Sequence, residues 1–191
     1  MSEIRFSSVW KSFEEQQVLG DFTLEVKPGE IVGLMGASGC GKTTVLNLAA
    51  GLIKPDGGSV TDLGTKRLTY LFAENRLILH KSGVANLLNV MKTPDESQAM
   101  KILKSLGLDG EALKRPVREL SFGMARRVAI ARAMAHDGEV ILYDEPVYGL
   151  DGETRRLVIE RLKEHLMGKT GIVVTHEEDV ASALCHRVLR L

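Results

Sequence analysis

No apolar run in this 191-residue sequence approaches the ~18 residues that a membrane-spanning helix needs. Neither sign of charge prevails, since 25 Lys and Arg meet 25 Asp and Glu. That balance argues against a surface given over to nucleic acid. Two cysteines, Cys40 and Cys185, are too few for a disulfide framework. The opening residues, Met1 to Arg5, carry neither the basic nor the apolar stretch of a secretion signal. There is no internal repeat, no low-complexity tract and no flexible linker. These absences predict a soluble, cytoplasmic chain of one domain, or one domain with a small satellite, long enough to bury an adequate core.

The clearest positive feature is Gly36-Ala37-Ser38-Gly39-Cys40-Gly41-Lys42-Thr43, a complete G-x-x-x-x-G-K-[ST] loop. It follows Ile31-Val32-Gly33-Leu34-Met35, which reads as a buried strand, and runs into Thr44 to Ala50, which reads as a helix stopped by Gly51. Glycines let successive backbone N–H groups turn inward on an anion, and the helix N-terminus adds partial positive charge. Lys42 supplies a mobile cation for terminal phosphates, and the Thr43 hydroxyl is placed to bind Mg²⁺. The loop predicts binding of a nucleoside triphosphate. Cys40 sits just before the helix start and Lys42, surroundings that favour thiolate. Ready alkylation, blocked by nucleotide, is expected, and equal rates with and without nucleotide would count against it. Cys185 reads as packing.

Other segments place this loop in an α/β frame. Arg5 to Val9 and Phe22 to Val26 alternate as half-exposed strands of a hairpin, and Pro28-Gly29 turns into the loop strand. Short strands are expected at Ser59 to Thr61 and Leu68 to Phe72, with helices from about Ala73 to Leu120. Thr93-Pro94-Asp95-Glu96 reads as a helix start capped by Thr93, running to Leu106 and stopped at Gly107. Ala85 to Val90 reads as an amphipathic helix that is either core or part of a groove. Val140 to Tyr143 and Gly171 to Thr175 read as buried parallel strands, and Arg187 to Leu191 as a weaker one near an edge. The helix between the first two is capped by Asp151 or Glu153 and ends at Gly168. The expected fold class is a P-loop NTPase core with a mostly parallel sheet, an N-terminal antiparallel β-subdomain and a short helical insertion at about 73–120, all within one domain over 1–191.

Three further segments carry candidate chemistry. Asp144-Glu145-Pro146 ends a buried strand, where Asp144 suits Mg²⁺ and Glu145 suits an attacking water. His176 directly follows another strand, and either serves structure or reaches the terminal phosphate from the sheet's carboxyl edge. Ser121, within Leu120-Ser121-Phe122-Gly123-Met124, reads as the N-cap of a helix that includes Arg126, Arg127 and Arg132. That start is either an anion site or a plain cap before a basic, solvated face.

In this order, together with Gly149-Leu150-Asp151, the motifs resemble those of ATP-binding cassette (ABC) transporter subunits over nearly the whole chain. The signature helix, with Met124 followed by Arg126-Arg127-Val128-Ala129-Ile130-Ala131-Arg132-Ala133, is similar to that of nitrate, sulfonate and taurine importers. The resemblance implies an ATPase on the inner face of the cell membrane, held there by a permease and pairing head-to-tail with a second copy or a related subunit. ATP and Mg²⁺ would be its cofactors and nucleic acid no partner. It implies nucleotide binding by Gly36 to Thr44 and Phe13, with Trp10 a weaker stacking candidate; either ring would otherwise belong to a β-subdomain core. It assigns catalysis to Glu145, His176 and Lys42, metal to Thr43 and Asp144, contact across the pair to Ser121, Phe122, Gly123 and Met124, and the interface to Asp151.

The sequence departs from the family pattern in three ways. Phe122 stands for the first Gly of Leu-Ser-Gly-Gly-Gln and Met124 for its Gln. Ala73, in Tyr70-Leu71-Phe72-Ala73-Glu74-Asn75-Arg76, stands where the family carries a Gln that meets Mg²⁺ and senses the permease. Only 76 residues separate Thr44 from Ser121, fewer than such importers usually carry. Import is the leading expectation, with an exporter or lipoprotein-release ATPase, or a non-hydrolysing regulatory subunit, as alternatives. DNA-repair or translation cassettes would need a long coiled coil or a second fused cassette, and a simple P-loop kinase leaves Leu120 to Met124 unexplained.

Overall fold

The computed structural model describes residues 3–14, 16–61, 63 and 66–191. Met1 and Ser2, which open the segment read for a secretion signal, lie outside them. The chain forms two compact units, Met1–Tyr70 with Gly138–Glu145 and Leu166–Leu191, and Leu71–Asp137 with Pro146–His165.

In the first unit, β1 (Ile4–Phe13), β2 (Gln16–Val26) and β4 (Gly57–Val60) make an antiparallel sheet in the order β2-β1-β4. The first two strands are longer than their alternation alone marks. An extra residue explains why: Phe6 pairs with Leu24 but Val9 with Phe22, and Ser8 takes φ +46°. This bulge resets the alternation, so Ile4, Phe6 and Val9 all face inward and are fully buried. Phe6 meets Phe22 edge to face at 5.3 Å.

The second sheet of this unit has the order β5-β6-β7-β3-β8, with β3 (Ile31–Met35), β5 (Leu68–Leu71), β6 (Val140–Asp144), β7 (Thr170–Val174) and β8 (Arg187–Arg190). Every residue of β3, β6 and β7 is buried. Such continuous apolar runs belong to parallel strands covered on both faces. Pairings β3·β7, β3·β8 and β6·β7 are parallel, so the carboxyl ends of β3, β6 and β7 share one edge. β8 lies at the sheet's border, where Arg187 and Arg190 are exposed. The helix α1 (Lys42–Ala49) buries Val45, Leu46 and Leu48 in the core that also holds Ile4, Phe6, Val32, Leu34, Leu142 and Ile172.

The second unit holds α2 (Gly83–Leu88), α3 (Glu96–Ser105), α4 (Phe122–His136) and α5 (Gly152–Leu166), with short 3₁₀ turns at Gly110–Leu113 and Val117–Glu119. It therefore takes in α4 and α5 beyond the 73–120 segment. The α3 start differs from the sequence expectation. Asp95, not Thr93, is the N-cap, its carboxylate accepting from Gln98 N at 3.0 Å, and Pro94 stays outside the helix. In α2, Asn86 is buried and ties the preceding turn together, accepting from Ile78 N and donating to Ile78 O and Ser82 O. Within 85–90, Asn86 and Leu87 are buried and Asn89 is exposed, and the helix ends at Leu88 rather than Val90. The helices α2, α3 and α4 pack on one another.

Candidate functional site

Four chemical groups meet along the carboxyl edge of the first unit's parallel sheet. The loop after β3 uses left-handed backbone at Gly39 (φ +81°) and Gly41 (φ +102°). At Gly41 a Cβ would lie 2.9 Å from Val18 Cγ1, so glycine is needed for both shape and space. Ala37, Ser38 and Gly39 are exposed, which leaves the loop's rim open to an anion. The Lys42 ammonium donates to Gly36 O and Ala37 O, each at 2.8 Å, and lies 3.7 Å from Cys40 Sγ.

At the start of α1, Thr43 Oγ1 donates to Asp144 Oδ2 at 2.8 Å. Asp144 closes β6 and is 4% exposed. A hydroxyl and a carboxylate converging beside a phosphate loop are hard oxygen donors of the kind Mg²⁺ takes, and Mg²⁺ adds waters and substrate phosphates rather than needing an all-protein cage. The residues present therefore fit that ion.

Glu145, the next residue, sits at φ +46°, a left-handed conformation that costs a non-glycine residue about 1–3 kcal/mol. Its N–H donates to Val174 O at 2.9 Å, which ties the strained residue to β7. His176 follows β7, and its Nδ1–H donates to Glu145 Oε1 at 2.9 Å, because an ionised carboxylate only accepts. That bond and the Glu145 charge raise the His176 pKa above 6.5, with smaller opposition from burial and from Lys42. Imidazole Nε2 then serves as donor whenever the ring is charged.

Phe13 and Trp10 are 46% and 45% exposed, so neither ring belongs to the β-subdomain core. Phe13 pairs across the hairpin with Gln16, two residues before Val18, which itself lies against Gly41 of the phosphate loop. Lys11 Nζ lies 5.4 Å from the Phe13 ring centroid and pairs with Asp56 at 2.7 Å. Burial pushes the Cys185 thiol up to about 12, in keeping with a packing residue against Gly33.

The remaining site residues belong to the second unit. Ser121 is the N-cap of α4, its hydroxyl accepting from Met124 N at 3.3 Å. Phe122 is 55% exposed and meets Tyr148 edge to face at 6.4 Å. The ring also covers Gly149, where a Cβ would lie 2.9 Å from Phe122 Cδ1. Asp151 is exposed just before α5. The solvated basic face expected after Ser121 is not what forms. Arg126 is fully buried, Arg127 donates to Leu106 O and Gly107 O, and Arg132 donates to Arg76 O. Desolvation lowers the pKa of both Arg127 and Arg132. Nothing in the local pattern signals Arg126, whose acceptors lie 20 to 54 residues away.

A phosphate loop, a metal-suited pair and a carboxylate–imidazole pair on one sheet edge define a P-loop nucleotide-binding core. The ABC transporter family model matches residues 19–148, and the chain belongs to that family. It is 36% identical to the aliphatic sulfonates import ATP-binding protein SsuB of Cupriavidus necator, over 95% of this chain and 63% of that protein. It is also 36% identical to the Fe(3+) ions import ATP-binding protein FbpC of Agrobacterium fabrum, over 96% of this chain and 57% of that one. The chain thus spans about 60% of the length of these curated relatives. Among solved structures it is similar to the dimeric ATP-binding cassette MJ0796 in a post-hydrolysis state bound to ADP and Pi, with TM-score 0.86 and 29% identity, covering 98% of this chain and 94% of that one.

Proposed function

We propose that the chain binds and hydrolyses ATP as the cassette of an ABC importer, held by a permease on the inner face of the cell membrane. The observation that carries this reading is the convergence of Thr43–Asp144 and Glu145–His176, at 2.8 and 2.9 Å, on the sheet edge that bears the phosphate loop. Backbone N–H groups of Gly36 to Thr44 and the Lys42 ammonium bind the phosphates, and Phe13 stacks on adenine. Thr43 and Asp144 would hold Mg²⁺, whose charge would offset that of the phosphates. Glu145 orients a water and takes its proton, and the His176 Nε2–H donates to the γ-phosphate. Ser121, Phe122, Gly123 and Met124 of one copy close on the nucleotide of the other, with Asp151 at the interface.

Both relatives, SsuB and FbpC, are import ATP-binding proteins, and MJ0796 is dimeric, which supports import and a working pair. No helix among the described residues is long and apolar enough to cross a membrane, so the permease supplies the membrane contact in this reading. The balanced charge supports no nucleic-acid partner.

Phosphate release from Mg-ATP, measured beside Glu145→Gln, tests the reading. Release that disappears in the variant, while ATP is retained and dimer accumulates, is the expected result. Tight ATP binding with no turnover by the wild-type chain, even at high concentration, would instead favour a regulatory subunit. The Phe122 ring packed on Gly149 is the feature that gives that second reading its motive.

A further inference from the structure

Arg126 is fully buried on α4, yet the group it buries is a cation. Its Nε donates to Pro146 O at 3.1 Å, and its Nη1 donates to Phe72 O at 2.7 Å and to Ala73 O at 3.0 Å. Asn75 Oδ1 lies 3.4 Å from the same Nη1. Burying a guanidinium costs several kcal/mol unless its donors are met, and a Leu or Met would fill a helix-face position without that cost. The position therefore matters for what the fork holds.

The fork holds two segments that are far apart in the chain. One is the 72–75 stretch, where Ala73 offers only a methyl group in place of a polar side chain. The other is Pro146, bonded directly to Glu145. Guanidinium is planar and rigid, so Nε and Nη1 do not move independently. A displacement of the Phe72 and Ala73 carbonyls would therefore move Pro146 O through one side chain, and Pro146 follows Glu145 directly.

Resting on the reading of Glu145 as the water-orienting residue, we infer that Arg126 is a positioning residue that links the backbone around Ala73 to Glu145. The link runs through main-chain carbonyls, so it operates without any side chain at 73. Arg132 provides an internal comparison. It donates from the same helix to Arg76 O and Asn75 O, both in the stretch that follows Ala73.

The experiment compares Arg126→Gln, Arg126→Lys and Arg132→Gln. Three quantities are read: kcat for phosphate release, Kd for a fluorescent ATP analogue, and amide hydrogen exchange at 73–75, Glu145 and Val147. Arg126→Gln is expected to lower kcat at least about tenfold, as misplaced catalytic groups do, with Kd within about twofold. Exchange at 73–75 and at Val147 should accelerate together. Arg126→Lys restores charge and melting temperature but not the fork, so kcat stays low, whereas a purely structural role would be rescued. Arg132→Gln should lower melting temperature, leave kcat within about twofold and leave Val147 exchange unchanged.

Loss of kcat in proportion to melting temperature in both glutamine variants would overturn the inference, as would unchanged exchange at Val147 in Arg126→Gln. If Arg126→Gln does not fold, Arg126→Lys carries the same comparison. If the wild-type chain binds the analogue but releases no phosphate, the reading of an active ATPase fails by itself. Exchange at Val147 then still decides the link.

Discussion

Thr43 and Asp144, 101 positions apart in the sequence, share a hydrogen bond of 2.8 Å. It joins the first turn of α1 to the last residue of β6. Thr43→Val keeps the side-chain shape and removes the donor, so it should lower unfolding stability by about 1 kcal/mol. Its larger effect is on magnesium. The Mg²⁺ concentration for half-maximal phosphate release should rise at least about tenfold, and Asp144→Asn should do the same. Titration with Mg²⁺ at saturating ATP checks this, and an unchanged midpoint would remove the pair from the metal site.

His176 gives a pH dependence whose sign follows from its Glu145 bond. The folded pKa lies above the free value of 6.5, so the ion pair's contribution is complete below that value. It is lost as pH rises through the raised folded value. The His176 side chain is 58% exposed, so solvent screening keeps the contribution under about 1 kcal/mol. NMR titration of His176 should give a midpoint above 6.5 that falls toward 6.5 in Glu145→Gln. A midpoint unmoved by that substitution would show that the 2.9 Å contact does not form in solution.

The backbone at Glu145 predicts a difference between two equally inactive variants. Both Glu145→Ala and Glu145→Gly lose the carboxylate, but only glycine takes φ +46° without strain. Glu145→Gly should therefore be the more stable by about 1 kcal/mol in urea denaturation. Equal stabilities would mean that the turn relaxes once the side chain is gone.

Much of the site could be read from the residues because each motif is local. Strand, glycine loop and helix follow one another from Ile31 to Ala50, and the Ser121 cap needs only the next three residues. What escaped depends on distant partners or on close competition. Arg126 reads as a solvated basic residue because its acceptors are main-chain carbonyls 20 to 54 residues away, which no spacing along the helix reveals. Thr93 and Asp95 are both sound caps, and the choice went to the carboxylate beyond Pro94. The extra residue at Ser8 hid the length of β1, since alternation breaks there and then resumes.

Phe122 and Gly149 should be energetically coupled. In the wild-type background Gly149→Ala meets both a left-handed backbone, φ +75°, and the Phe122 ring. With Phe122→Ala already present, only the backbone strain remains. The double-mutant cycle should give at least about 1 kcal/mol of coupling in chemical denaturation. Additive effects would show that the half-exposed ring swings aside, leaving Tyr148 as it goes.

Trp10 is the only tryptophan in the chain. Its ring lies against Gly57 and Gly20, half exposed, on the strand that ends at Phe13. The indole is thus a built-in optical reporter, and its emission comes from one known place three residues from the ring proposed to stack on adenine. Nucleotide arrival can be followed in the unlabelled chain, at the concentrations of a stopped-flow experiment and with every catalytic side chain left as it is.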